Sequence, residues 1–586
     1  MSETFSPIFL LLVLVWPLLL AGATAVRSMR PVILQIASWA ALPALLLAVF
    51  APAYVSLDLP WVLLGAELRL EEGSSRLFLL FTALLWLISG IYARAYLSEQ
   101  SGQSRFVVYF LLSMTGNLGL ILAQNLMGFY LFFALMSFAS YGLVVHQRSS
   151  EALRAGRVYI VLVVIGEIAL FSAMLMTANS TGTADFDSVR QGFAQAEPRN
   201  LIMLLAFIGF GIKAGVLGLH MWLPLAHPVA PTPASAVLSG AMIKAGLLGW
   251  LRLLPLGEMA MVSWGKVFIF LGLATAFYGV IVGLTQKVPK TVLAYSSISQ
   301  MGIMTMAVGL GLAAPGAYPE ILTAVTLFAL HHGLNKGALF LGVGVIGSCS
   351  GVQRRWVWLA LWLPALALVG APLTSGMAVK YFLKVQTVNA PGSWGIVLQT
   401  LLPWSSVATT LLVGRFLVLL FKPGKELSSH QSAAGLLWPW GLLVVASVLA
   451  PWWFVPEKLK LWSQAAVLGS LWPVLLGVVV MLAVIIWRSY QTGQPESNVE
   501  PLIPPGDLLV PINQVLTLLL NFGYRLFGQG LPHSRDTLLA SLKQLWSHLN
   551  FWNLIGRFES NINQWPAALI ILLILGLVMT VLGTVQ

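Results

Sequence analysis

The sequence is poor in charge and almost devoid of cysteine. Only 9% of its 586 residues are Asp, Glu, Lys or Arg, against about 25% in an ordinary soluble domain. The single cysteine, Cys349, excludes a disulfide framework, an iron–sulfur cluster or a Cys-based zinc site within the chain. No P-loop, no GxGxxG after a strand and no HExxH occurs. The net charge of +12 does not form a nucleic-acid face, because the basic residues sit singly between apolar runs. What remains is apolar: 58% of the residues are hydrophobic. Soluble cores stop growing near about 250–300 residues, so they cannot hide this much. Soluble enzymes and secreted scaffolds are excluded, and the chain reads as a polytopic membrane protein.

A spanning helix needs about 20 apolar residues. Sixteen runs qualify: 8–25, 31–52, 74–95, 106–124, 126–146, 155–178, 200–223, 232–254, 262–284, 290–313, 320–346, 356–387, 398–421, 434–454, 467–488 and 566–585. Strand alternation is absent, which argues for an all-α fold and against a β-barrel. The first run has no Lys or Arg before Arg27, so it lacks the basic region of a cleavable signal and reads as a retained span. With the N-terminus outside, the inside loops hold the larger share of basic residues, including Arg27, Arg30, Arg148, Arg154, Arg157, Arg354 and Arg355. Positive-inside bias therefore puts both termini outside. Residues 491–507 (QTGQPESNVEPLIPPGD) are polar and Pro-rich, a linker. Over 508–560, Leu538, Leu539, Leu542, Leu545, Trp546 and Leu549 recur at helical spacing among charged residues. This predicts amphipathic helices along the membrane surface or on a partner, ahead of the last span at 566–585.

Ionisable residues inside spans are costly, and each is a functional candidate. Glu167, Lys213, Lys244, His331, His332, Lys336 and Lys380 all fall at mid-span. Lys213 and Lys244 stand about ten residues from either end of their runs, about 15 Å, too deep for snorkelling, which is the plainer reading for Lys384. His332 and Lys336 are four apart and share a helix face, and a hydrogen-bonded core role is an equal alternative for one of the two histidines. An ammonium held out of water gives up its proton readily, and a nearby carboxylate restores it. A row of such groups, bridged by water, is a proton path. Ser297 and Ser299 are candidates for holding those waters.

Pro224, Pro228, Pro231 and Pro233 crowd the end of the seventh run, and Pro364 and Pro372 interrupt the twelfth. Broken spans in corresponding positions of two halves point to inverted repeats. Spans 4–8 (106–254) and 9–13 (262–421) are the candidate five-helix units, with Lys213 and Lys380 as counterparts. Three N-terminal helices (1–105) precede them, and helices 14 and 15 (434–488) follow.

The block GIKAGVLGLHMWLPLAHPVAPTPASAVLSGAMIKAGLLGWLR (211–252) resembles the antiporter-like membrane subunits of respiratory complex I, multisubunit sodium/proton antiporters, and group 4 hydrogenases and formate hydrogenlyases. AYSSISQMGIM (294–304) and HHGLNKGALFLGVG (331–344) match as well, and the likeness runs over about residues 70–390. The first block is most like the hydrogenase branch. Sixteen spans with an amphipathic stretch before the last are most like the distal antiporter-like subunit of complex I. The resemblance implies two inverted five-helix repeats with broken helices 7 and 12, a lateral amphipathic helix and a hydrated mid-membrane axis. By motif, Lys213 takes the helix-7 lysine position and Lys244 the helix-8 relay. His331 or His332 with Lys336 takes the helix-11 relay, and Lys380 the helix-12 lysine. One departure stands out. Where the family carries a glutamate in a FWELMS-like run of helix 5, this chain has FFALMS (132–137), with Ala134 at the glutamate position. Glu167, in the next span, is the candidate replacement as partner of Lys213.

These features predict a proton-translocating subunit of a larger complex in a bacterial-type inner membrane, with Na⁺ as an alternative ion. The chain would hold no cofactor itself; its partners would be other membrane subunits and, in a redox complex, soluble redox subunits. The rival readings are a Na⁺/H⁺ antiporter component, a conducting subunit that powers a non-redox partner such as bicarbonate uptake, and a scaffold.

Overall fold

In a computed structural model, residues 5–60, 65–421, 433–456, 461–491 and 503–509 are described. The chain divides into two units, one of residues 1–59 and 66–505, the other of 60–65 and 506–586. In the smaller unit, Asp507 accepts a hydrogen bond from the Leu508 N–H at 2.8 Å. The amphipathic stretch expected over 508–560, apart from its first two residues, and the last span lie outside the described residues, as does most of the 491–507 linker.

The larger unit is nearly all helix. It opens with α1 (Phe5–Ala23), α2 (Arg30–Ile36) and α3 (Leu42–Phe50), then departs from the all-α expectation. Strands β1 (Tyr54–Leu59) and β2 (Ala66–Glu71) form an antiparallel hairpin, with Leu57 opposite Leu68. The alternation is in the sequence: Ala66, Leu68 and Leu70 are buried, while Glu67, Arg69 and Glu71 point the other way. Six residues were too short a signal beside spans of twenty. Arg69 pairs with Glu67 at 2.8 Å, Glu71 at 3.1 Å and Asp187 at 3.3 Å. Burial works against its charge, but the hydrogen bonds to Glu67 and Glu71 outweigh it and hold the guanidinium above its ordinary range.

Next come α4 (Ser74–Tyr96), α5 (Gln103–Leu122), α6 (Leu126–Val144), α7 (Ser150–Thr181) and α8 (Phe186–Gly192). The starts of α6, α7 and α8 are capped by Asn125, Ser149 and Asp185, each accepting a backbone N–H within the first turn. The chain continues through α9 (Arg199–Ala214), α10 (Trp222–Val229), α11 (Thr232–Val237), α12 (Lys244–Leu253), α13 (Val262–Thr285), α14 (Pro289–Ala313) and α15 (Tyr318–Ser348). It ends with α16 (Gly351–Ala360), α17 (Trp362–Val369), α18 (Ser375–Gln386), α19 (Trp394–Phe421), α20 (Ala433–Leu449) and α21 (Gln464–Gln491).

Among the described residues, eleven helices are long and apolar enough to cross a membrane, where the sequence suggested sixteen. The other five have identifiable causes. The first run forms α1, of which only Phe9–Ala23 falls wholly within the described residues, side chains included. The seventh and twelfth are broken into short pieces, α15 is long but diluted by His331, His332, Asn335 and Lys336, and the last lies outside the described residues.

Glycines open both breaks, and of the prolines expected to break the seventh and twelfth runs, Pro372 lies within the second break. Gly215, at φ +76°, ends α9, and Gly218 follows at φ +87°. Only glycine adopts this left-handed backbone without a Cβ clash. Pro224 and Pro228 lie inside α10, beyond the break, while Pro231 and Pro233 set the start of α11 as expected. Gly370, at φ +85°, ends α17, and Leu373 at φ +65° completes the second break. The eighth span is also irregular: Leu238–Met242 form a π-turn between α11 and α12. The span from Thr232 to Leu253 is wholly buried, and α14 nearly so. Polar side chains on these helices therefore face protein on every side, the condition under which a membrane interior tolerates them.

Candidate functional site

Six of the seven predicted path residues are buried and Lys380 is half-buried, and several of them sit at irregular helix segments. Lys213 sits in the last turn of α9, two residues before the Gly215 break, so it is at a helix end after all, but one buried within the fold. Its Nζ donates to Ser137 Oγ at 3.3 Å and to Tyr159 Oη at 3.2 Å. Its ammonium also lies 5.6–5.9 Å from the ring centres of Phe133, Tyr159 and Trp222, within cation–π range. Trp222, across the break, donates to the Ile212 carbonyl at 2.7 Å and so ties the two halves together. Tyr159 donates to the Ser137 carbonyl at 2.8 Å.

Glu167 is 5% exposed on α7 and is the only buried carboxylate among the described residues of the larger unit. It makes no ion pair with Lys213. Ser137 accepts from Lys213 and lies near the Glu167 carboxyl, whose Oε2 has no hydrogen-bond partner. Ser137 lies three residues after Ala134 on α6. The helix with alanine at the expected acid position thus places a hydroxyl on the lysine and near a neighbouring acid.

Lys244 opens α12, with one residue between it and the π-turn. Lys244 Nζ donates to the Ser239 carbonyl at 2.6 Å. Ser239 Oγ meets Ser297 Oγ at 2.7 Å, and Ser297 donates to the Leu293 carbonyl at 2.9 Å. Lys336 Nζ donates to that same Leu293 carbonyl at 2.9 Å. Lys244 and Lys336 are therefore joined through Ser239, Ser297 and one shared carbonyl. His332 is fully buried, its ring nitrogens make no hydrogen bond, and it lies within electrostatic range of both lysines. Ser299 is not part of this link: its backbone packs where α13 passes at Gly279, and its buried hydroxyl makes no hydrogen bond.

His331 faces away from His332. Its Nδ1 meets Ser375 Oγ at 3.0 Å, at the start of α18, and Asn335 Nδ2 at 3.2 Å. The next group is Lys380, whose Nζ donates to the Val369 carbonyl at 2.7 Å and to Ser406 Oγ at 3.2 Å. Lys380 follows its break and Lys213 precedes its own, so they are not positional counterparts. Yet each ammonium ends at a break, because Lys380 reaches back to the carbonyl end of α17, where a cation is favoured. Lys380, Lys384, Gln300 and Ser406 line a cavity of about 300 Å³ between α18, α19 and α21, roomy enough for several waters.

Sequence reasoning missed Ser137, Tyr159, Ser239, Ser375 and Ser406, single hydroxyls without a motif of their own. It also passed over His227, quoted there only within the HPVAPTPASA run. That ring is fully buried, stacks on Phe340 at 4.6 Å, has no hydrogen bond on either nitrogen, and lies within electrostatic range of Lys244, Lys290 and Lys336.

Residues 123–402, which hold all of these groups except Ser406, match the family of NADH:quinone oxidoreductase/Mrp antiporter transmembrane domains. Residues 123–402 thus carry a transmembrane domain of the antiporter-like kind. The chain is 30% identical over 359 residues to hydrogenase-4 component B of Escherichia coli (strain K12), covering 58% of this chain and 52% of that protein. It is 33% identical over 376 residues to the putative antiporter subunit mnhA2 of Staphylococcus saprophyticus, covering 58% and 46%. The chain thus spans about half the length of the curated relatives it matches. In fold it is similar to the Mrp complex from Dietzia sp. DQ12-45-1b, with a TM-score of 0.69 at 21% identity over 93% of this chain and 63% of that one. It is also similar to the archaeal membrane-bound sulfane sulfur reductase, with a TM-score of 0.64 at 21% identity over 81% and 99%. These relatives and neighbours are named as components of hydrogenase, antiporter and respiratory membrane complexes, and the chain is itself a membrane protein with many apolar helices.

Proposed function

We propose that this chain is an ion-translocating subunit of a larger membrane complex and carries protons along Glu167, Lys213, Lys244, His332, Lys336, His331 and Lys380. The observation that carries this reading is the shared environment of the four lysines. All are buried or nearly so, and each is held only by hydroxyls and backbone carbonyls, with no ion pair among the described residues. A structural lysine in a membrane interior is ordinarily neutralised by a carboxylate. Here one acid, Glu167, serves the row from one end through Ser137. Neutral acceptors let each lysine take or release a proton without breaking a fixed ion pair.

On this reading the two inverted repeats are 106–254 and 262–421, and the broken helices give both halves a polar centre. The complex lies in a bacterial-type inner membrane with both termini outside. Redox centres, where the complex has them, belong to partner subunits. Relatives named as a hydrogenase component and as an antiporter subunit favour a redox-coupled proton pump, with Na⁺/H⁺ exchange as the second reading. The alanine at 134 favours a third, in which the path conducts in order to power a non-redox partner.

The test is to tag the chain, extract its complex in mild detergent, identify the co-purifying subunits by mass spectrometry and reconstitute the complex in liposomes. Proton flux that falls at least ten-fold in Lys213→Ala, with the subunit set intact, is the expected result. Cofactor-bearing partners select the redox reading, and partners without them the third. Unchanged flux in Lys213→Ala refutes translocation along this row.

A further inference from the structure

A second cavity, of about 440 Å³, lies apart from the lysine row and enters the fold beside the β-hairpin, between α12 and α15. Its rim includes the exposed Glu71, Glu72 and Thr323, and its floor is made by Leu248 and Thr326, both buried. The charged wall is balanced, since Asp187 pairs with Arg69 at 3.3 Å and with Arg190 at 2.6 Å. Deeper in, Arg252 donates to the carbonyls of Leu120, Ile121 and Ala123 at the end of α5. This caps a helix end that otherwise lacks donors.

Thr326 is the informative residue. It is 1% exposed, lines the cavity, and its Oγ1 has no hydrogen-bond partner. Buried threonines in mid-helix, such as Thr305 and Thr409, return their hydroxyl to the carbonyl four residues back; Thr291, in the first turn of its helix, shares the lack of a partner but lines no described cavity. An unsatisfied buried hydroxyl beside a roomy polar cavity is the setting in which an ordered water is held. The floor is also close to the row. Leu248 is one helical turn beyond Lys244 on the same face. Thr326 is six residues before His332, about 9 Å of helix rise.

We propose that this cavity is a water-filled vestibule through which protons pass between the hairpin face and the Lys244–His332 pair, a route separate from the cavity at Lys380. The proposal rests on the translocation reading above, and its test separates the two. Because Cys349 is the only cysteine, a Cys349→Ser chain gives a clean background. Thr326→Cys and Leu248→Cys are introduced singly in the assembled complex, with Thr323→Cys as the exposed control and Ala329→Cys as the core control. Each is treated in proteoliposomes with a charged methanethiosulfonate reagent, and Thr326→Ser controls for loss of the native side chain. Thr326→Cys and Leu248→Cys are expected to react within about ten-fold of the rate at Thr323→Cys, and modification to slow proton flux at least several-fold. Reaction no faster than at Ala329→Cys overturns the vestibule, and full modification with unchanged flux overturns its role as a route. If Lys213→Ala leaves flux intact while modification at Thr326→Cys abolishes it, the translocation row fails and the vestibule stands.

Discussion

Replacing Glu167 with glutamine removes a charge while keeping the side chain's shape, and it tests whether the acid acts on Lys213 through Ser137. The geometry sets the scale. Lys213 Nζ lies 3.3 Å from Ser137 Oγ, the Glu167 carboxyl lies within electrostatic range of that lysine, and charges about 6 Å apart give the scale. At an effective dielectric of about 20, such charges attract by about 3 kcal/mol, equivalent to about two decades in an equilibrium constant. Glu167→Gln should therefore lower proton flux by ten- to a hundred-fold, about as far as Lys213→Ala does. The double variant should lose little more than either single one, because the second change removes an interaction already gone. The assay is dye-reported proton uptake into liposomes carrying the purified complex, with each variant's subunit content checked first. Ser137→Ala, which removes the bridge but neither charge, should give an intermediate loss. Independent, multiplying losses from the Glu167 and Lys213 variants would refute the coupling, as would wild-type flux in Glu167→Gln.

Two further outcomes concern stability. A Cβ on Gly246 of α12 would fall on the Phe210 carbonyl and 2.9 Å from the Ala214 nitrogen, backbone atoms of the helix that carries Lys213. Gly246→Ala should then destabilise the protein by about 1–3 kcal/mol, read as a lower unfolding midpoint in detergent; an unchanged midpoint would show that α9 and α12 can separate freely. His146 lies outside the spanning helices, between α6 and α7. Burial, then the Arg105 and Arg148 cations, push its imidazole down to about 4. Below about pH 6.5 the unfolded chain takes up a proton that the folded one refuses. Stability should fall as pH drops from about 6.5 to about 4, by about 3 kcal/mol at the lower limit, and level off below. His146→Gln should flatten that segment of the midpoint-against-pH curve, and a curve identical to wild type would assign the acid sensitivity elsewhere.

The sequence by itself determined the membrane class, most of the spans and the family resemblance, because hydrophobic run length and the 211–252 block are local properties of the chain. It also picked out the lysines and histidines, since an ionisable residue in an apolar run is visible without a structure. It located the breaks only in part: Pro372 lies within the second one, but prolines are conspicuous and glycine's left-handed backbone is not, and Gly215 and Gly370, not Pro224 and Pro364, end the half-helices. The hairpin escaped notice because two six-residue strands carry little signal beside long apolar runs. Only the tertiary structure decided what each buried charge touches. That Ser137 accepts from Lys213 and that Lys336 reaches the Leu293 carbonyl used by Ser297 depend on contacts between residues 76 and 43 positions apart, and the reach of Lys244 to the Ser239 carbonyl falls at a local backbone irregularity. The physical reason is that desolvation is encoded residue by residue, whereas the partner that answers it comes from whichever helix packs alongside.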